Sequence, residues 1–383
     1  MSVILERNNH NEPIDLPFDI VTANNSDGQS GINSSEGDIK YETFLNAISE
    51  HFSSTESDAD SRVQGTNAND ILVGDASNNL IFGKQGNDSL AGHQGDDRLY
   101  GGKNEDSLRG NSGNDYISGD RGNDLIFGNQ GNDLTDGGDG RDTIYAGQGD
   151  DLIFGGNNSD FLLGDRGNDI IFGNQGNDLI VGSEGNDILH GGQGHDLILG
   201  GPGDDCIHGE NGNDLAFGGQ GRDLIDGGQG EDILYGGQGN DTINGGHGND
   251  LISGDKGNDL LTGGLGEDTF RLEFLTISPG DTLSAISKDN PFLGVDTITD
   301  FNPTEDRIQL DADLFPALDD TLRAEFGTIN QIDELGVQDA AIVYESNTGL
   351  VYYNPTDETG DEVEILKIDP NLNNLDSDNF ETI

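Results

Sequence analysis

Residues 119–127 read GDRGNDLIF, residues 164–172 read GDRGNDIIF and residues 236–244 read GGQGNDTIN. The same nine-residue sentence runs from Gly65 to Arg271 in 23 copies, without insertion or deletion. Position 1 is glycine in every copy except at Ala146, and position 4 is glycine except at Ala68, Ser77, Asn104 and Asn158. Position 6 is aspartate except at Asn79, and position 8 is leucine or isoleucine except at Thr135, Ala216 and Phe270. A strict period held over 207 residues predicts a stack of like units rather than a globule around one centre.

Each copy divides into six turn residues, G-x-x-G-x-D, and three strand residues around the aliphatic at position 8. Glycines at positions 1 and 4 permit the positive φ that a tight turn demands. Side chains alternate along a strand, so position 8 faces one way and positions 7 and 9 the other. A three-residue strand cannot bury its aliphatic alone, but two strands face to face can, and stacked coils extend that core. The unit is then an 18-residue coil of two strands and two turns, with coils about 4.8 Å apart. Twenty-three copies make about eleven and a half coils, a rod on the order of 55 Å long.

Turns n and n+2 stack on one edge of such a roll, which sorts the aspartates into two ladders. One holds Asp70, Asp88, Asp106, Asp124, Asp142, Asp160, Asp178, Asp196, Asp214, Asp232, Asp250 and Asp268. The other holds Asp97, Asp115, Asp133, Asp151, Asp169, Asp187, Asp205, Asp223, Asp241 and Asp259. Like charges about 5 Å apart repel strongly, so a cation is expected between neighbours. Hard oxygen donors, with no His or Cys at the repeating positions, select Ca²⁺ over zinc or copper. Magnesium fits less well, because it keeps its water and seldom enters all-protein cages.

The whole composition agrees. Hydrophobic residues are 31% of the 383, glycines number 61, and the formal net charge is −57. Such a chain lacks the apolar surface to offset its own entropy, so an external and positively charged partner is needed. The acidity argues against nucleic acid as a partner, since phosphate contacts need clustered Lys and Arg. It disfavours anionic membranes for the same reason. The lone Cys206 excludes an intramolecular disulfide framework. No apolar run reaches the roughly 18 residues of a membrane span. The N-terminal MSVILERNNHNEPIDLPFDI has too short an apolar core for a signal peptide.

The repeat resembles the G-G-x-G-x-D-x-U-x signature of the RTX family of secreted calcium-binding proteins, a well-known calcium-binding β-helix repeat. That resemblance implies an all-β chain built as a right-handed parallel β-roll, a calcium-dependent solenoid with a C-terminal β-rich cap. Each calcium would be held between turns n and n+2 by two aspartates and backbone carbonyls. The 23 turns offer up to 21 such pairs, with weaker or empty sites implied beside Asn79, Asn104 and Asn158. Three segments follow: a polar, largely disordered leader over 1–64, the roll over 65–271, and a cap over 272–383. In the leader, Tyr41, Phe44, Leu45, Ile48 and Phe52 fall at helical spacing, as a plug for the open end or a partner-binding helix.

Past Arg271 strands are expected at Thr297–Phe301, Arg307–Leu310, Ala341–Tyr344, Leu350–Tyr353 and Glu364–Ile368, with Ser346–Gly349 as a hairpin turn. GVDTITDFNPTEDRIQL, IVYESNTGLVYYN and SDNFETI look like the tail of RTX proteins. That likeness implies a signal for a type I secretion channel and an extracellular destination.

Two outer ladders complete the reading. His190, His208 and Asp226 stack at position 9 on one face, as a solvated stretch of sheet or as ligands for a second, transition metal. Phe127, Tyr145, Leu163, Val181, Leu199, Phe217 and Tyr235 line the other face, as cross-strand packing or as a surface for self-association or a cell-surface partner. Neither H-E-x-x-H nor G-x-S-x-G occurs in the chain, so no protease or lipase site is expected and the chain reads as a non-enzyme. A haemolysin-like toxin or an extracellular enzyme is the alternative, although the apolar membrane-active region of the former has no counterpart here.

Overall fold

A computed structural model describes residues 61–272, 294–310, 326–329, 342–353, 363–370, 372, 375 and 379–382. The expectations for the leader, including its helix, lie outside the described residues.

From Ser61 onward the chain winds into two parallel sheets, taking alternate strands into each. Ser61–Gln64 pairs with Asn79–Gln85, which pairs with Arg98–Lys103, and so on along one sheet. Ile71–Val73, Ser89–Gln94 and Ser107–Ser112 begin the other. Every rung joins residue i to i+18, as in Phe154 against Phe172 and Phe172 against His190. The fold is an all-β parallel solenoid, and no α-helix occurs among the described residues.

Position 8 supplies the core. Ile81, Leu90, Leu99, Leu108 and Ile117 through Leu261 form one continuous column at 0–1% exposure, with Thr135 the single polar member. Each aliphatic packs on those of the coils before and after it and on the opposite sheet. Burying one such side chain contributes about 1.5–3 kcal/mol. A single-file column gives each coil little of this, so stacking alone does not stabilise a chain with so many glycines.

The strands are longer than the three residues the repeat suggests. Leu125–Gln130 spans positions 7, 8, 9 and then 1, 2, 3 of the next copy, and the pattern recurs to Leu260–Leu265. Position 1 makes no rung of its own: Tyr145 pairs with Leu163 and Gly147 with Asp165, skipping Ala146 and Gly164. The strand therefore bends there, and the turn proper shrinks to positions 4–6.

The glycines also divide their work differently from expectation. Positive φ falls at positions 2 and 4, as at Gly147 (118°) and Gly149 (134°), and at no position-1 glycine. Position 1 is glycine for lack of space. A Cβ at Gly173 would stand 2.5 Å from both Asp178 Oδ2 and the Gly191 carbonyl oxygen. Asn104 and Asn158 take φ of 80° and 78° at position 4, a region asparagine tolerates. Those two turns keep their path.

Beyond Arg271 the sheets continue. Asp296–Ile298 pairs with Leu260–Leu265, and Arg307–Leu310 with Thr269–Leu272. Asp296–Ile298 then pairs with Val363–Lys367, which leads antiparallel to Leu350–Tyr353 and on to Ile342–Glu345. Ser346–Gly349 forms the expected turn between the last two. Phe326–Ile329 and Phe380–Thr382 are further strands. Tyr344, Val351, Leu366, Ile368 and Phe380 extend the same core into this end.

Candidate metal ladder

Each ladder aspartate immediately precedes a strand, held by a backbone bond such as Leu125 N–H to the Asp106 carbonyl at 2.9 Å. Its side chain turns inward along the edge. Asp133 Oδ1 accepts from the Asp115 N–H at 2.8 Å, and Asp151 Oδ1 from the Asp133 N–H at 2.7 Å. The same rung recurs on the other edge, as Asp124 N–H to Asp142 Oδ1 at 2.7 Å. Position 5 adds an outer rung of opposite direction, for example Asn132 N–H to Asn114 Oδ1 at 2.9 Å. That second ladder is absent from the motif reading, although the Asn and Asp frequency at position 5 marks it.

Of the 22 predicted aspartates, all but Asp70 are buried, at 0–5% exposure. One carboxylate oxygen is used by the rung. On the first edge, Oδ2 of Asp88, Asp106, Asp124, Asp142, Asp160, Asp178, Asp196, Asp214, Asp232 and Asp250 is buried with no hydrogen-bond partner. On the second, Oδ2 of Asp97, Asp133, Asp151, Asp169, Asp223, Asp241 and Asp259 is in the same state. An uncompensated buried carboxylate costs several kcal/mol, and these recur once per turn. None of the salt bridges found among the described residues reaches a position-6 aspartate. The ion pairs found there, such as Arg121–Asp139 and Arg166–Glu184, lie on exposed side chains away from position 6.

A divalent cation bound along each edge answers that cost. The donors are carboxylate oxygens with turn carbonyls close by, the hard set that Ca²⁺ takes six to eight at a time.

The ends differ from the middle. Asp70 Oδ2 accepts from the Thr66 N–H at 2.6 Å and the Thr66 hydroxyl at 2.9 Å. Asn79 Oδ1 accepts from the Asp75 N–H at 3.1 Å, while Asn79 Nδ2 donates to Asp97 Oδ1 at 3.1 Å and to the Ser77 carbonyl. That amide stands where two oxygens would otherwise face each other.

At the far end two carboxylates extend the ladders. Asp259 N–H donates to Asp296 Oδ1, and Asp268 N–H to Asp306 Oδ1, both at 3.1 Å. Neither was among the sequence-derived ligands, because 37 and 38 residues replace the usual 18. The signal was present nonetheless: Gly294-Val295-Asp296-Thr297-Ile298 and Glu305-Asp306-Arg307-Ile308 repeat the end of the nonapeptide.

Desolvation dominates the acidity of the ladder. Burial pushes Asp106 up to about 7, Asp115 to about 8 and Asp151 to about 9, against 3.8 for a free side chain, with neighbouring aspartates adding to the rise. The folded pKa values exceed the unfolded ones, so the metal-free roll holds more protons than the unfolded chain and loses stability as pH rises from about 4 to 9. In chelator, the β-rich signal should be larger at pH 5 than at pH 8. Above the unfolded pKa that added stability lowers the calcium needed, so the calcium midpoint of folding should fall on the same acidification. Circular dichroism at the two pH values checks both; the opposite order in chelator would contradict the burial described.

His190, His208 and Asp226 stand on adjacent rungs as expected and line one recess with Glu210 and Gly228, but the two imidazoles engage different neighbours. His190 stacks on His208 with ring centres 4.8 Å apart, and its Nδ1 lies 3.0 Å from Glu210 Oε1. His208 Nε2 instead faces Cys206 Sγ at 3.4 Å. No group of three His, Cys, Asp or Glu among the described residues is placed to hold a metal. The apolar face also turns its residues on one another: Phe127 stacks on Tyr145 at 5.2 Å and Phe217 on Tyr235 at 5.0 Å.

A family model of the RTX calcium-binding nonapeptide repeat matches overlapping segments that together run from residue 64 to residue 270. The chain belongs to the RTX calcium-binding repeat family. Among solved structures, this RTX chain is similar to the AlgE6R3 subunit of the mannuronan C5-epimerase of Azotobacter vinelandii, at 26% identity over 41% of this chain and 78% of that one, with a TM-score of 0.26. It is also similar to a hyperactive, Ca²⁺-dependent, β-helical antifreeze protein from an Antarctic bacterium, at 24% identity over 58% and 87% of the two chains, with a TM-score of 0.29. No curated protein matches it at a significant level. As an RTX roll it binds multiple Ca²⁺ ions.

Proposed function

We propose that this chain is an exported, non-enzymatic structural or interaction module whose fold is switched on by extracellular calcium. The observation that carries the reading is the run of buried, partnerless Oδ2 atoms along both edges of the roll. With calcium scarce, those carboxylates and a net charge of −57 keep the chain open, and an open chain can thread a narrow channel. Calcium binds the folded turns and not the coil, so mass action draws the chain into the roll once it is outside.

The proposed route is a type I secretion channel that reads the C-terminal region, and the destination is the extracellular space or the cell surface. There the outer face would serve self-association or a cell-surface partner. No helix among the described residues is long and apolar enough to cross a membrane.

The test is export of the full chain from a bacterium carrying a type I apparatus, with and without an active ATPase. Chain in the medium only with the active ATPase is expected, folded when the medium holds millimolar calcium. Retention in the cell under both conditions would remove the export reading and leave calcium binding untouched.

A further inference from the structure

The calcium ladder does not stop where the nonapeptides stop. Asp296 lies 37 residues beyond Asp259, yet it occupies the next rung: Asp259 N–H donates to Asp296 Oδ1, and Thr297 N–H to the Asp259 carbonyl at 2.8 Å. The turn around it is rebuilt in full. Gly294 takes a φ of 85° as a fourth-position residue does, and Val295 N–H donates to Asn258 Oδ1 at 2.9 Å as the fifth position does. Asp296 is 2% exposed and Asp259 is 3% exposed. Oδ1 of Asp259 is taken by the Asp241 N–H at 2.8 Å, while its Oδ2 is buried at the seam with no N–H or O–H donor, and the Asp296 carboxyl lies beside Asp259.

The other edge closes differently. Asp306 Oδ1 accepts from the Asp268 N–H, and its Oδ2 accepts from the Asn302 N–H at 2.7 Å. That is the arrangement at the start of the roll, where Thr66 four residues back engages Asp70 Oδ2 in the same way. Both oxygens of Asp306 already have donors.

We infer that Asp259 and Asp296 form a calcium site outside the nonapeptide array, one that joins the roll to the C-terminal cap, while Asp306 seals the opposite edge by hydrogen bonds alone. The Asp296 strand is sandwiched between Leu260–Leu265 of the roll and Val363–Lys367 of the cap. An ion there fastens both. The inference rests on calcium binding by the roll proper and adds where the series of ions ends.

Native mass spectrometry of the full chain at saturating calcium tests it. Asp296→Asn should hold one ion fewer than wild type, and Asp306→Asn the same number. Asparagine keeps a side-chain Oδ1 able to accept from the Asp259 N–H. An unchanged count in Asp296→Asn, or a loss in Asp306→Asn, would overturn the assignment.

Should Asp296→Asn leave even mid-roll amides such as those of Leu179–Glu184 unprotected from exchange, Asp296→Glu is read instead. A raised calcium midpoint for Val363–Lys367 amides alone supports the site, and an unchanged midpoint counts against it. A wild-type chain that takes up no calcium would instead sink the broader reading on which this one depends.

Discussion

In excess chelator at pH 7.5 the purified chain should show the circular dichroism of an unfolded polypeptide, and millimolar calcium should restore a β-rich spectrum. The expected change is nearly complete for residues 61–272, because every coil there depends on the same device. Without the ion, each turn carries a desolvated carboxylate worth several kcal/mol against folding, beside neighbours of like charge. The aliphatic at position 8 returns only about 1.5–3 kcal/mol per repeat. Ordering nine residues costs on the order of 10 kcal/mol before any gain is counted, and glycine raises that cost. Hydrogen bonds and packing between coils come only once neighbours exist, so the titration should be steep, with a Hill coefficient well above one. A β-rich spectrum in chelator that calcium leaves unchanged would end the ion-dependent account.

The second large effect is steric and needs no ion. Gly212 lies well inside the roll with φ of 137°, and a Cβ there would overlap the carbonyl oxygen of Gly194 on the previous coil. Gly212→Val adds backbone strain of about 1–3 kcal/mol and pushes apart two coils whose spacing the Gly194 N–H to Asn211 carbonyl bond fixes at 2.9 Å. Contacts in a solenoid run only between neighbours, so the break should not spread evenly. The expected result is a roll that titrates in two stages, with amides on the two sides of residue 212 protected at different calcium concentrations. Hydrogen exchange across the titration measures this. A single transition at the wild-type midpoint would show that the coils tolerate a wider gap than the geometry allows.

Most of the roll was legible from the nonapeptide because its period is the coil. Position 8 as core, the pairing of i with i+18, and the two aspartate ladders all follow from nine letters and the alternation of a strand. What was not legible depended on the third dimension. The glycine at position 1 looked like a turn residue. In the structure it yields room to Asp Oδ2 and the next carbonyl, a constraint visible only once coils are stacked. The extension of the strand into positions 1–3 escaped for a related reason, since the bend at position 1 interrupts alternation. Asp296 and Asp306 were missed because residues 273–293 interrupt the period by which the ladder was counted. His190 and His208 were correctly placed as neighbours, but proximity along a ladder does not aim two rings at one point.

The i to i+18 rung has a mechanical side. Covalent chain runs around the roll, whereas hydrogen bonds and ions run along it, so a pull on the two ends loads the rungs one coil at a time. Each coil that gives way would release 18 residues, a step of roughly 60 Å of contour at about 3.4 Å per residue. Its ions would leave with it. Such a chain would lengthen in even increments under load and shorten again as calcium refilled the turns, which makes it a ratcheted tether whose stiffness is set by the surrounding fluid.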